Sequence, residues 1–259
     1  MIIDNIVNRV KNFPLKDLEI VDVCIGIPFT YVIIEENGLK FLGTALTPLI
    51  ELGCIERRNP PVDVYSLDVS KVVEWATDVH MIRRVIGMAT INAVSQYFLK
   101  SEIDEFDTGL KLTEILNKVR AEKVAVIGYM RYLVEDLRRE GFDFVIFERD
   151  FTRRRDGFSD CLEPRMLPEM DALLITGSSL INDSLDFVLR FARRSKVNVL
   201  IGPTAQVHPR LISGFNVHYL YSCMVLNVEK AVELLKVTAW RDALFGEFSR
   251  VYMAKVPQP

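Results

Sequence analysis

Residues 124–128, Val-Ala-Val-Ile-Gly, constrain this chain most. A short apolar run that ends in glycine and feeds an amphipathic helix opens a strand-loop-helix unit, and such units commonly hold phosphate-sized ligands. The same alternation continues downstream. Strands are predicted at residues 124–127, 144–147, 172–176 and 197–201. Helices are predicted at about 131–140, closed by Gly141, and at about 183–194, where Leu185, Val188, Leu189 and Ala192 form one stripe. Strands alternating with helices mean a parallel sheet with crossover helices. A further strand is predicted at 218–226, and Asn227 is a suitable N-cap for a helix presenting Val228, Ala231, Val232 and Leu235. The tail from Trp240, with Leu244, Phe245, Phe248, Val251 and Tyr252, is expected to pack back on the body of the protein.

The first half reads differently. Ile3, Ile6, Val7 and Val10 recur at helical spacing, and Pro14 follows. Strands are predicted at 18–25, 29–35 and 39–46, the last two joined by Asn37-Gly38, whose tolerance of positive φ suits a type I′ turn. From Ser70 the period becomes helical, first with Val72, Val73 and Ala76. Ile82, Val85, Ile86, Ala89, Ala93 and Tyr97 then fall on one stripe that also carries the small residues Gly87 and Thr90. The acidic stretch 101–109 interrupts both periods. It is the natural boundary between an N-terminal α+β domain, residues 1–108, and a Rossmann-like domain, residues 109–259, so the fold class is α/β.

With 259 residues and 49% hydrophobic content the chain can bury a large core, and its apolar runs are strand-sized. The opening Met-Ile-Ile-Asp-Asn lacks a signal-peptide pattern, so a cytoplasmic protein off the membrane is expected. A net charge of -3 does not point to nucleic acid, and the cluster Arg149, Arg153, Arg154 and Arg155 reads as a solvated loop. Cys24, Cys54, Cys161 and Cys223 form no CxxC pair, and His80, His208 and His218 no HxxxH pair. Any metal site must therefore be assembled across the fold.

Ligands of open parallel sheets sit beyond the carboxyl ends of the strands. The residues found there are Gly128-Tyr129-Met130, then Glu148, then Thr176-Gly177-Ser178-Ser179 with Asn182, then Gly202-Pro203-Thr204. Gly177 allows a tight turn, and Ser178, Ser179 and nearby N–H groups can hold an anion; capping of a helix is the competing role for these side chains. Glu148 follows Gly128 at the distance of a ribose-binding acid, yet the later glycines of GxGxxG are missing, which disfavours a dinucleotide. Neither GxSxG nor a GKS/GKT loop is present. Glu163 and Asp171 flank the same edge, and Cys161 with His208 are the soft side chains that loops could bring there.

Gly87-Met-Ala-Thr-Ile-Asn-Ala93, Thr176-Gly-Ser-Ser-Leu-Ile-Asn182 and Gly202-Pro-Thr-Ala205 together resemble the heavy-metal chelation family over most of the chain. The resemblance implies an N-terminal domain like that of enolase followed by a Rossmann-like domain, with a site in the cleft between them. It also implies chelation of a divalent heavy or transition metal, within anaerobic cobalamin-type tetrapyrrole metabolism. Matched residues are Gly87 and Asn92 on the small-residue helix, Gly128, then Thr176, Gly177 and Asn182, then Gly202 and Pro203. One departure is Ser222-Cys223, where the family usually carries glycine.

Three functions follow as expectations. The first is binding of a metal ion or metal-bearing small molecule in the cleft, through Asn92, Glu148, Thr176 and Asn182. The second is binding of a nucleotide or phosphorylated metabolite at helix termini. The third is a noncatalytic interaction protein whose cleft only joins two domains. All are compatible with a homodimer.

Overall fold

The computed structural model describes residues 1–51 and 66–258; Cys54 lies outside them. Helix α1 (Ile2–Val10) precedes an antiparallel sheet of β1 (Glu19–Cys24), β2 (Phe29–Glu36) and β3 (Leu39–Leu46). The turn between β2 and β3 has φ of 51° at Asn37 and 79° at Gly38, as a type I′ hairpin requires, and pairs Glu36 with Leu39. Next come α2 (Val69–Glu74), α3 (Met81–Leu99) and α4 (Leu112–Lys118).

The rest alternates. It runs β4 (Lys123–Ile127), α5 (Arg131–Glu140), β5 (Asp143–Phe147), α6 (Glu163–Met166), β6 (Ala172–Thr176), α7 (Ser184–Phe191), β7 (Val197–Ile201), β8 (Tyr219–Val225), α8 (Val228–Lys236), α9 (Trp240–Phe245) and β9 (Ser249–Lys255). The six strands lie in the order β5-β4-β6-β7-β8-β9, all parallel except β9, which runs antiparallel to β8. The α/β class with a Rossmann-like parallel sheet is thus the observed one. Strand β9 is the tail's way of packing back; its Tyr252 is buried beside Phe106.

Two expectations need correction. The helix predicted from Ser70 is broken at Asp78–His80 into α2, a short 3-10 turn over Trp75–Thr77, and α3. Moreover α3 has no single apolar stripe, since Val85 to Gln96 are buried all round. A helix covered on every side sits inside the molecule. One side of α3 lies on β2 and β3, and its other contacts reach Pro203–Ala205 of the C-terminal half. Glycines permit that closeness: a Cβ on Gly43 would stand 2.1 Å from the Ala89 carbonyl oxygen, and one on Gly87 would stand 2.1 Å from the Ala76 nitrogen.

Strand β2 explains its own unbroken apolar run. Val32 and Ile34 join the main core with α1 and α3, while Phe29, Tyr31 and Ile33 pack with Val228, Ala231 and Leu244 of α8 and α9. Both faces of the small sheet are therefore covered, one of them by helices that follow β8. The main apolar core continues through both halves, from Ile6 and Ile91 to Leu173 and Leu200. Among the described residues, no helix is long and apolar enough to cross a membrane.

Candidate functional site

Chain order places the site before any side chain does. From β4 the chain moves outward to β5, then returns past β4 to β6, so the direction of winding reverses between β4 and β6. At such a reversal the loops diverge and leave a crevice at the carboxyl edge. Here the two loops are Gly128-Tyr129-Met130 and Thr176-Gly177-Ser178. Gly128 has a φ of 84°, and a Cβ there would stand 2.7 Å from Thr176 Cγ2. Thr176 is half-buried; its hydroxyl lies 3.1 Å from the Ser178 hydroxyl and accepts from the Ser178 N–H at 3.4 Å. Ser179 turns inward and donates to the Thr176 carbonyl at 2.8 Å.

Glu148, at the end of β5, has both carboxylate oxygens engaged. One accepts from the Tyr129 N–H at 2.8 Å, the other from the Asp150 N–H at 2.9 Å. It shapes the first loop, and each of its oxygens keeps a second lone pair.

The arginine cluster is more than a solvated loop. Arg149 pairs with Glu51 at 2.9 Å and Asp160 at 2.9 Å, and Arg154 donates to the carbonyls of Glu148 and Arg149. Arg153 donates to the Tyr129 carbonyl at 3.3 Å, while the Arg155 guanidinium lies 5.2 Å from the centre of the Tyr129 ring. The segment after β5 thus folds over the loop after β4.

Beside Arg149 and Asp160 sits Glu163, one of the two acids expected to flank this edge. It is 4% exposed, and its carboxyl has no hydrogen-bond partner among the described residues. Burial, reinforced by the Asp160 charge and opposed by Arg149, pushes its carboxyl up to about 7.

Of the remaining expected site residues, Asn92 and Thr204 lie in the seam between the halves. Asn92, fully buried on α3, donates to the Thr44 carbonyl at 2.7 Å and the Thr204 carbonyl at 3.0 Å. The Thr204 hydroxyl accepts from the Leu46 N–H at 2.9 Å, and Gln206 links the Thr44 N–H to the Cys223 carbonyl. A Cβ on Gly177 would stand 2.5 Å from the Ala205 nitrogen, so Gly177 lets the loops after β6 and β7 touch. Gly202 has a φ of 102° ahead of Pro203, and its carbonyl accepts from Ser222 at 2.9 Å. Asn182 accepts from the Ser184 N–H at 3.2 Å, and the next residue, Asp183, meets Arg84 of α3 at 2.5 Å.

The soft side chains do not assemble. Burial pushes the Cys223 thiol up to about 12, Cys161 is exposed on the loop before α6, and His208 is buried against Glu102 and the Arg210 N–H. Among the described residues, no three His, Cys, Asp or Glu side chains are grouped so that they could hold a metal ion. The described residues therefore do not fit a bare heavy-metal ion in a protein-built cage. A surface hollow lined by Phe106, Asp107, Tyr219 and Lys255 lies at the amino edge of the sheet, away from these groups.

A family model described as "Putative heavy-metal chelation" matches residues 111–254, and a second model of the same description matches residues 11–95. The chain belongs to this family. An uncharacterised protein of Methanocaldococcus jannaschii is 37% identical over 262 residues, covering 99% of this chain and 98% of that one. The structure of a family member of unknown function from Pyrococcus horikoshii superposes with a TM-score of 0.87 at 31% identity, covering 99% of this chain and 100% of the other. A second, from Desulfitobacterium hafniense, gives 0.76 at 18% identity over 98% and 96% of the two chains, a likeness of fold alone. Within this heavy-metal chelation family, the structure sorts the expected residues by position. Gly128, Glu148, Thr176 and Ser178 meet at the carboxyl edge, Asn92 and Thr204 join the two halves, and Gly87 and Gly177 allow close packing within one half each.

Proposed function

We propose that this protein binds a small metal-bearing molecule at the carboxyl edge of its parallel sheet, in the crevice between the loops after β4 and β6. The observation that carries the reading is the meeting of Gly128 and Thr176 where the winding reverses. A glycine at positive φ brings backbone close to a ligand, and the Thr176 and Ser178 hydroxyls offer neutral oxygen contacts beside it. The family description supports the metal. The donor set supports a metal that arrives within its own chelating molecule, because the protein supplies no cage among the described residues. A tetrapyrrole of the cobalamin type, implied by the sequence resemblance, is one such molecule.

The test is anaerobic native mass spectrometry of freshly purified protein, followed by titration with cobalt chloride, nickel chloride and cobinamide, a cobalt-bearing tetrapyrrole. Wild type is compared with Thr176→Val and Asn182→Ala. Saturable binding of a metal-bearing mass that Thr176→Val weakens supports the reading. Binding that neither variant alters places the ligand elsewhere, and a copurified phosphate ester indifferent to metal replaces the reading with a phosphorylated-metabolite site.

A further inference from the structure

Arg153 and Arg155 are the feature that the switch-point reading leaves unused. Arg149 has two carboxylate partners and Arg154 two backbone carbonyls, so both hold the loop in place. Arg153 and Arg155 have no carboxylate at ion-pair distance among the described residues; Asp156 pairs with Arg138, and Asp150, hydrogen-bonded to Thr152, acts on Arg153 only at longer range. Both are exposed. They converge on one residue, Tyr129, which directly follows Gly128 in the crevice.

Their present contacts are weak ones. A guanidinium-to-carbonyl bond of 3.3 Å is at the long end for N–H···O, and an exposed cation over a phenol ring is easily exchanged for an anion. Arg155 also has a φ of 52°, the left-handed region that a long side chain seldom occupies, and in that conformation its guanidinium stands over Tyr129. Two exposed guanidinium groups with no ion-pair partner among the described residues, beside a ligand crevice, match a planar oxyanion in charge and in donor geometry.

We propose that Arg153 and Arg155 form the anion-recognising wall of the switch-point site, and that its ligand carries a carboxylate or phosphate group placed over Tyr129. The proposal rests on the crevice being the ligand site and adds the class of molecule it takes. A chelate with peripheral carboxylates, or a phosphorylated carrier, would set that oxyanion between the two guanidinium groups while its body lies against Gly128 and the Thr176 hydroxyl.

Isothermal titration calorimetry tests it with four probes: nickel citrate, metal-free citrate, inorganic phosphate and nickel chloride. Each is titrated into wild type, the double variant Arg153→Gln/Arg155→Gln, and Thr176→Val, with thermal melts confirming that all three fold. The expected result is that nickel citrate, citrate or phosphate binds wild type, weakens about tenfold or more in the arginine double variant, and weakens again as salt is raised. Citrate without phosphate identifies a carboxylate ligand, and the converse a phosphate. Oxyanion binding that the double variant leaves unchanged overturns the proposal. So does binding of nickel chloride alone, lost in Thr176→Val, which would keep the crevice as a metal site and replace the chelate with the bare ion. Oxyanion binding that depends on the arginines and is indifferent to nickel and to Thr176→Val would uphold the arginine wall and overturn the metal reading. No binding of any probe overturns both.

Discussion

Gly128 lies so close to Thr176 that an added Cβ would meet the threonine methyl at 2.7 Å and its Cβ at 3.0 Å. Two constraints therefore coincide at one position, a left-handed φ of 84° and a side chain in the way. Gly128→Ala is expected to destabilise the protein by ~1–2 kcal/mol. Adding Thr176→Ser removes the methyl while keeping the hydroxyl, so the double variant should recover part of the loss. Denaturant melts of the four members of this cycle check it; strictly additive effects would show that the two residues do not meet in solution.

Glu163 gives a pH dependence with a definite sign. The folded carboxyl keeps its proton to about 7, against an ordinary value of 4.5, chiefly because burial disfavours its charge. Between those values the folded state binds more protons than the unfolded one, so this group lowers stability as pH rises, and the full cost applies above about 7. Glu163→Gln cannot ionise. Its unfolding free energy should gain on wild type steadily from pH 5 to pH 8, by an amount on the order of 2 kcal/mol. A difference that stays flat with pH would mean that Glu163 titrates normally.

Periodicity made the strands legible because each has an unambiguous local pattern. Residues 39–46, 172–176 and 197–201 are strands over the predicted spans, and Arg131–Glu140 is a helix closed by Gly141 at a φ of 75°. Asn227 caps α8 as expected, accepting from the Lys230 N–H at 3.0 Å. What local pattern could not show was which partner covers which face. The surround of α3, the pairing of β9 with β8 and the covering of β2 by α8 and α9 are all contacts between distant segments. The site divided in the same way. Gly128 and Thr176 fall at predicted strand ends, so the fold rule finds them. Asn92 and Thr204 are polar residues in motif-like settings, and only the bonds from Asn92 to Thr204 and from Leu46 to Thr204 show that they join the halves.

The ion pair between Arg84 and Asp183 ties α3 to the start of α7, with side chains 13% and 24% exposed. Removing one partner of such a pair leaves a largely buried charge without compensation. Asp183→Asn preserves a residue type that tolerates the φ of 60° found there, so backbone strain is not the variable being tested. A loss of ~2 kcal/mol or more is expected in urea melts. A change under about 0.5 kcal/mol, the size typical of surface substitutions, would mean that solvent already screens the pair.

Asn92 separates a joining role from a binding role. Its amide donates to two carbonyls on opposite sides of the seam, Thr44 at 2.7 Å and Thr204 at 3.0 Å, in a setting with no exposure to water. Asn92→Ala removes both bonds and leaves two buried acceptors short of a donor, at an expected cost of ~2–3 kcal/mol. Because the crevice at Gly128 and Thr176 is built by other loops, the folded fraction of the variant should bind cobinamide with wild-type affinity. Thr176→Val should do the reverse, weakening binding with a smaller change in melting temperature. The two variants measured side by side, by melt and by titration, therefore form a crossed test. If Asn92→Ala loses affinity while keeping its stability, the ligand lies between the two halves and the seam itself is the site.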